Sequence, residues 1–313
     1  MENPDLEIYR FQIQAEFKTA AILPEFKGAT FRGAFGISLR EITCVNKPCK
    51  DCKLCLINKQ CPYKQIFSVE SEENRFHNIP SPFILEPPYD RKKFYDQRSK
   101  LCFNFVVIGK MIEYFPYIVL AFKRMGEKGI GIKDRRGSFV ISKIESNNGI
   151  VYDGEKEILY QYKKAEKIDI SELEIEAVRL KFISPARIKS DGKLIKDLPF
   201  ALLVKSILRR IFLLKKNYCE NSDFNVDHQS IIKKACAVET ISCNLKWYDW
   251  ERFSTSQKTN MRLGGFVGEI DYMGKLGDFI RYLKIGEIIH VGKNASFGLG
   301  KYAIISQSYG KSN

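Results

Sequence analysis

From Leu6 to Phe17 apolar and polar residues alternate, the two-residue period of a strand with one face buried. After Pro24 the period changes. Phe31, Phe35, Leu39 and Ile42 fall on one face of a helix, with Thr30 placed to cap its start. Arg32 and Arg40 lie off that stripe, free to face a ligand or solvent. Gly28, Gly33 and Gly36 are poor helix formers, and a helix that keeps them needs close packing or close approach by a partner. Further on, the prolines around Phe83-Ile84-Leu85 predict an extended segment. Leu101 to Ile108 predicts a strand. Met111 to Met125 predicts a helix interrupted near its first turn by Pro116. Gly126 to Gly137 is a glycine-rich, basic loop opening into a strand over Ser138 to Ile144. A short strand and a charged linker over Tyr152 to Ile170 mark a boundary, giving domains 1–170 and 171–313.

The second half repeats the order. Ile175 to Phe182 alternates as a strand that Ser184-Pro185 ends. Leu198 to Tyr218 and Val226 to Thr240 read as helices, Cys243 to Tyr248 as a strand, and Met261 to Tyr272 as a glycine-led strand. A helix follows over Lys275 to Leu283. The chain then closes on Ile288 to Tyr302, read as strand, glycine-rich loop and strand. Each half is therefore strand, helix, strand, strand, helix, strand: an α+β chain of two tandem ferredoxin-like domains, also the plan of the RNA-recognition motif. No RNP aromatic signature accompanies it.

In the closing loop, Gly292, Gly298 and Gly300 permit positive φ and close approach to the backbone, while Lys293 and Lys301 suit an anion. No Gly-Lys-Ser/Thr opens a helix, so the spacing is not that of a P-loop. Glycine and lysine between two strands also make an ordinary hairpin turn.

Charge changes the picture. Lys and Arg number 51 against 37 Asp and Glu, a net of +14, and the pI is near 9.2. A field of that sign fits a polyanion, most simply nucleic acid. The composition, 44% hydrophobic and 28% charged, supports folded cores and argues against disorder. With no long apolar run and no basic-then-apolar start, a cytoplasmic protein without membrane contact is expected.

Five of the nine cysteines crowd into Cys44-x4-Cys49-x2-Cys52-x2-Cys55-x5-Cys61-Pro62-Tyr63. Overlapping C-x-x-C steps offer thiolates to one tetrahedral metal. Four suffice: Cys44, Cys52, Cys55 and Cys61, with Cys49 as substitute or spectator. A structural zinc is expected, although an iron–sulfur cluster also takes four thiolates.

Three stretches carry a resemblance. Phe26-Lys27-Gly28-Ala29-Thr30-Phe31-Arg32-Gly33-Ala34-Phe35-Gly36, the cysteine knuckle ending Cys61-Pro62-Tyr63, and the run from Arg252 through Gly264-Gly265-Phe266-Val267-Gly268 to Gly298-Leu299-Gly300-Lys301-Tyr302 resemble the CRISPR-associated endoribonucleases of the RAMP superfamily, in the branch with a cysteine-rich insertion. The resemblance implies the repeat of a precursor CRISPR RNA as substrate, matured to crRNA by metal-independent attack of a ribose 2′-OH. The products are a 2′,3′-cyclic phosphate and a 5′-OH. It implies an RNA grip by Lys27, Arg262, His290, Lys293, Ser296 and Lys301. The family often places a histidine on or after the first helix, but none lies between Phe26 and Cys61 here. His77, after the knuckle, is the first candidate for general acid or base. Arg32 and Arg40, with Tyr63, would steady the phosphate. The alternative is a non-catalytic RNA-binding subunit of a CRISPR effector complex, a role the same fold serves.

Overall fold

The computed structural model describes residues 6–47, 51–67, 79–162, 165, 175–190, 193–195, 197–221, 223–224, 226–249, 251–254, 259–262 and 264–309. These fall into two compact units, one within 6–166 together with 217–222, the other within 167–216 and 223–313. Among the described residues no helix is long and apolar enough to cross a membrane.

The first unit runs β1 (Ile8–Phe17), β2 (Ala21–Ile22), α1 (Gly28–Thr43), a 3-10 turn (Cys52–Leu54), α2 (Pro62–Ile66), β3 (Phe83–Glu86), β4 (Phe94–Tyr95), β5 (Lys100–Ile108), a second 3-10 turn (Gly109–Tyr114), α3 (Phe115–Lys128), β6 (Phe139–Ser146), β7 (Gly149–Asp153) and β8 (Ile158–Leu159). Its antiparallel sheet has the order β3-β5-β1-β6-β7-β8. From Tyr9 onward every second residue of β1 is buried, as the alternation predicts.

The core is aromatic. Phe35 of α1 lies 5.0 Å from Phe122, 5.2 Å from Phe105 and 5.5 Å from Phe83, ring centre to ring centre. Each such pair adds about 0.5–1.5 kcal/mol beyond burial. Two local expectations change. Thr30 lies inside α1, and Lys27 takes the cap position without a side-chain cap bond. Pro116 starts α3 instead of breaking it, because a first-turn residue has no helical N–H bond to lose.

The second unit runs β9 (Ile175–Ala186), β10 (Lys189–Ser190), β11 (Lys193–Leu194), α4 (Phe200–Tyr218), α5 (His228–Ala235), β12 (Glu239–Tyr248), β13 (Glu251–Ser254), β14 (Thr259–Arg262), β15 (Gly265–Met273), α6 (Gly277–Ile289), a 3-10 turn (Ala295–Phe297) and β16 (Tyr302–Tyr309). The antiparallel sheet order is β12-β15-β9-β16. Two buried phenols tie chain to sheet: Tyr302 donates to the Leu283 carbonyl at 2.6 Å and Tyr272 to that of Leu198 at 2.7 Å.

Here the structure departs from the sequence reading in three places. β9 continues through Pro185 to Ala186. Pro185 falls where pairing with β15 skips from Phe182 to Ala186, so no ladder bond needs its missing N–H. The helix expected over Val226 to Thr240 ends at Ala235, and pairing with β15 claims Glu239 onward for β12. α6 runs to Ile289, so the strand expected at Ile288 is a helix end. Ile285 and Ile289 are buried at i, i+4, a helical spacing that a short apolar run does not distinguish from a strand.

Candidate nucleic-acid interface

One face of α1 gathers cations and aromatic rings. The Arg32 guanidinium lies 4.2 Å over the Phe67 ring and 5.9 Å from the Phe83 ring. One turn on, Gly36 leaves the room Phe67 occupies; a Cβ there would collide with the ring edge. Phe67 stacks on Tyr63 at 5.5 Å and 21°, and Arg40 lies 5.9 Å from the Tyr63 ring. The result is a ladder, Arg32–Phe67–Tyr63–Arg40, whose cations are both half-buried. A guanidinium stacked on a ring keeps its full positive charge. Burial raises the Tyr63 phenol above its ordinary value, against the pull of Arg40 and Arg32. It therefore holds its proton at neutral pH and can donate a hydrogen bond.

Lys27 does not join this face. It is fully buried, and its Nζ donates to the Asp90 carbonyl at 2.7 Å and the Asp90 carboxylate at 2.8 Å. Tyr95 reaches the same carboxylate at 3.4 Å. Lys27 is a strut at the start of α1, and the RNA contact expected of it is corrected. His77 and Cys49 lie outside the described residues.

The described knuckle cysteines bracket the ladder. Cys44 caps the end of α1 and buried Cys61 caps the start of α2. Cys52 and Cys55 are half-buried, on the 3-10 turn and just after it. Burial raises the Cys52 thiol above its ordinary value, and Cys61 and Cys44 add to the rise, so the three lie within electrostatic reach. Among the described residues no three Cys, His, Asp or Glu side chains are gathered closely enough to hold a metal. Soft thiolates are the right donors for zinc.

In the second unit the loop between α6 and β16 is tightly self-bonded. Val291 N–H donates to the Gly300 carbonyl, Lys293 N–H to Arg187, Phe297 N–H to Asn294, Gly298 N–H to Ala295 and Gly300 N–H to Pro185. Lys301 N–H donates to the Ser184 hydroxyl at 2.9 Å. These N–H groups are engaged within the protein and do not offer themselves to an anion.

His290 caps α6 at φ 62°, fully buried, its Nδ1 3.0 Å from the Leu299 carbonyl. It belongs to the core, not to an RNA-facing strand, and that expectation is corrected. Ser296 is buried in the 3-10 turn, which corrects the expectation that it grips RNA. Lys293 is exposed and Lys301 half-buried. Arg262 ends β14, and its side chain lies outside the described residues. His228, at the start of α5, is exposed.

Sequence reasoning passed over Arg187. One guanidinium nitrogen donates to the Gly264 carbonyl, its backbone pairs with Gly292, and its buried Nε has no partner. Burial holds the guanidinium below its usual value, with Asp249 opposing. The signal was available: a lone arginine just past a strand that the glycine loop must meet.

A family model described as the CRISPR-associated endoribonuclease Cas6 matches residues 180–302, from β9 through the loop to Tyr302. A model described as an N-terminal domain matches residues 6–167. The likeness to the Cas6 family thus lies in the C-terminal part of the chain, residues 180–302. An uncharacterized protein of Archaeoglobus fulgidus is 26% identical to this chain over 289 residues, 91% of it and 93% of the relative. Cas6 of Thermus thermophilus shares the fold at a TM-score of 0.54 and 11% identity, over 95% of this chain and 98% of that one. A chain of a partial Cas6-RT-Cas1–Cas2 complex aligns at 0.55 and 15% identity, over 97% of this chain and 46% of its own length.

Proposed function

We propose that this chain cuts the repeats of a precursor CRISPR RNA to release mature crRNA, as a pair of tandem ferredoxin-like domains. The observation that carries the proposal is the Cas6 match over the unit that builds the glycine-rich loop. In the proposed chemistry the ribose 2′-OH upstream of the cut attacks the phosphate in line, the 5′-oxygen leaves, and a 2′,3′-cyclic phosphate remains, with no metal in the step. Positioning and charge stabilisation supply most of the rate. Arg32 and Arg40 neutralise the charge that develops on the phosphorane. Tyr63, protonated, hydrogen-bonds a phosphoryl or leaving oxygen. His77 is the proposed general acid or base. Lys293, Lys301 and Arg262 hold phosphates, which positions the strand without reading its sequence.

A structural zinc on Cys44, Cys52, Cys55 and Cys61, with Cys49 as substitute, belongs to the same proposal. It would fix α2, and with it Tyr63, against the end of α1, and would supply folding energy but no step of the cut. Metal content of protein purified without added metal tests it; a metal-free, fully folded protein refutes it.

A non-catalytic RNA-binding subunit of a CRISPR effector complex is the second reading. One observation favours it: α1, which carries Arg32 and Arg40, contains no histidine. Incubation with the host's repeat RNA in EDTA separates the two. A single cut carrying a 2′,3′-cyclic phosphate supports the enzyme; tight binding without a fixed cut supports the subunit.

A further inference from the structure

The two units share a device at the connection from a helix into a strand that pairs with the unit's first strand. In the second, the loop leaves α6 at positive φ (His290, 62°), and in the first it leaves α3 at positive φ (Gly129, 73°). The next residues bond alike. Val291 N–H donates to the Gly300 carbonyl at 3.0 Å, and Ile130 N–H to the Gly137 carbonyl at 3.0 Å. Then comes a glycine pressed against the carbonyl of a residue beyond the unit's first strand. A Cβ on Gly292 would lie 2.6 Å from the Arg187 oxygen, and one on Gly131 2.8 Å from the Ile22 oxygen. The residue after each glycine donates to that same carbonyl: Lys293 to Arg187 at 2.9 Å, Ile132 to Ile22 at 2.8 Å. The first unit therefore carries a counterpart of the glycine-rich loop, at Gly129 to Ser138.

This counterpart is basic where it meets water. Lys133, Arg135 and Arg136 are exposed, against one carboxylate, Asp134. Among the described residues none of the three has a carboxylate partner. The same rim holds exposed Arg98, whose N–H donates to Phe17, and Lys18, whose N–H donates to Ser138 and whose ammonium pairs with Glu16. Unpaired cations on a backbone-braced loop serve phosphate better than they serve the fold.

We infer that the Gly129–Ser138 loop is a second clamp on the RNA phosphate backbone, acting through Lys133, Arg135 and Arg136 without reading bases. This rests on the RNA binding that the proposed function requires. The clamp holds RNA away from the reacting phosphate, so it sets affinity for the strand and not the rate of the cut.

The test compares wild type with Lys133→Ala/Arg135→Ala/Arg136→Ala and with a control of equal charge, Lys110→Ala/Lys205→Ala/Lys275→Ala, at exposed positions outside both loops. The probe is a fluorescein-labelled single-stranded RNA carrying the host repeat with flanking spacer, titrated at several salt concentrations. Three lost phosphate contacts should flatten the slope of log K against log salt by about 2. Single-turnover cutting at saturating RNA should stay at the wild-type rate. A slope change no larger than the control's, or a slowed cut at saturation, overturns the clamp. If the wild type binds but never cuts, the enzyme proposal fails while the slope comparison still decides the clamp. A wild type that binds no RNA overturns both.

Discussion

Lys27 tests the difference between a strut and a grip. Replacing it with Met keeps most of the buried methylenes and removes the ammonium that donates to the Asp90 carbonyl and carboxylate. Hydrogen bonds from a charged group contribute about 1.5–3 kcal/mol each when lost alone. Two offsets act here. The ammonium no longer has to be kept out of water, and the Asp90 side chain, 52% exposed, takes up water when its partner goes. The net cost of Lys27→Met is therefore about 1–3 kcal/mol. Lys27→Ala also removes about three buried methylenes at about 0.8 kcal/mol each, bringing the loss to about 3–5 kcal/mol once the cavity is included. Urea unfolding of the full chain, followed by far-UV circular dichroism, should show midpoints falling in the order wild type, Met, Ala. The salt slope of RNA binding should be the same for Lys27→Met and wild type. If Lys27→Met instead kept the wild-type midpoint and flattened the slope by about 0.7, one phosphate contact on a single strand, Lys27 would reach RNA and the strut would be wrong.

The ladder on α1 makes three further predictions. Arg32→Ala and Arg40→Ala should each slow single-turnover cutting by about 10²–10³-fold, with RNA affinity changed far less, because charge stabilisation of the transition state is what each removes; equal losses in affinity and rate would place them in binding alone. Gly36→Ala should hold stability near wild type, since a helix gains about 1 kcal/mol from Ala over Gly, while displacing Phe67 from Arg32 and Tyr63 and lowering the cutting rate; an unchanged rate would detach Phe67 from function. Tyr63 carries the pH prediction. Its pKa is raised above 10.0 by burial, so the proton stays on as pH climbs through the usual phenol range. Single-turnover cutting in short reactions should therefore persist past that range. Tyr63→Phe should be slower at every pH, and a Phe variant as fast as wild type would remove Tyr63 from the chemistry.

The strands and helices that carry both sheets were legible because burial wrote them in period. β1 alternates, and Phe31, Phe35 and Leu39 line α1 as spaced. The C-terminal run was not legible for a physical reason. Ile288-Ile289-His290-Val291 is short and mostly apolar, and such a run satisfies a buried strand and a buried helix end alike. Only the packing of Ile285 and Ile289, and the positive φ at His290, decide it. Lys27 was misread for a similar reason: a lysine in a basic chain reads as surface, and nothing nearby in sequence announces Asp90, 63 residues away in the chain. Arg32, Arg40 and Tyr63 were legible as residues, but the ladder that orders them depends on Phe67 lying over Gly36, a contact no spacing shows.

The glycine-rich loop changes most between sequence and structure. Glycine and lysine together suggested an anion approaching the backbone closely. Instead the N–H groups of Val291, Lys293, Phe297, Gly298, Gly300 and Lys301 brace the loop against itself and against Pro185, Arg187 and Ser184. Gly292 is there because the loop lies on the Arg187 carbonyl, and Gly300 because it lies on that of Val291; a side chain has no room at either. Such bracing makes a rigid platform whose charge sits at the tips of its lysines. Side-chain ammonium groups meeting phosphates release counterions and give a steep salt dependence. That dependence would follow Lys293 and Lys301 and remain when loop N–H groups are replaced. The Gly129–Ser138 loop, braced in the same pattern with Lys133, Arg135 and Arg136 exposed, is subject to the same physics.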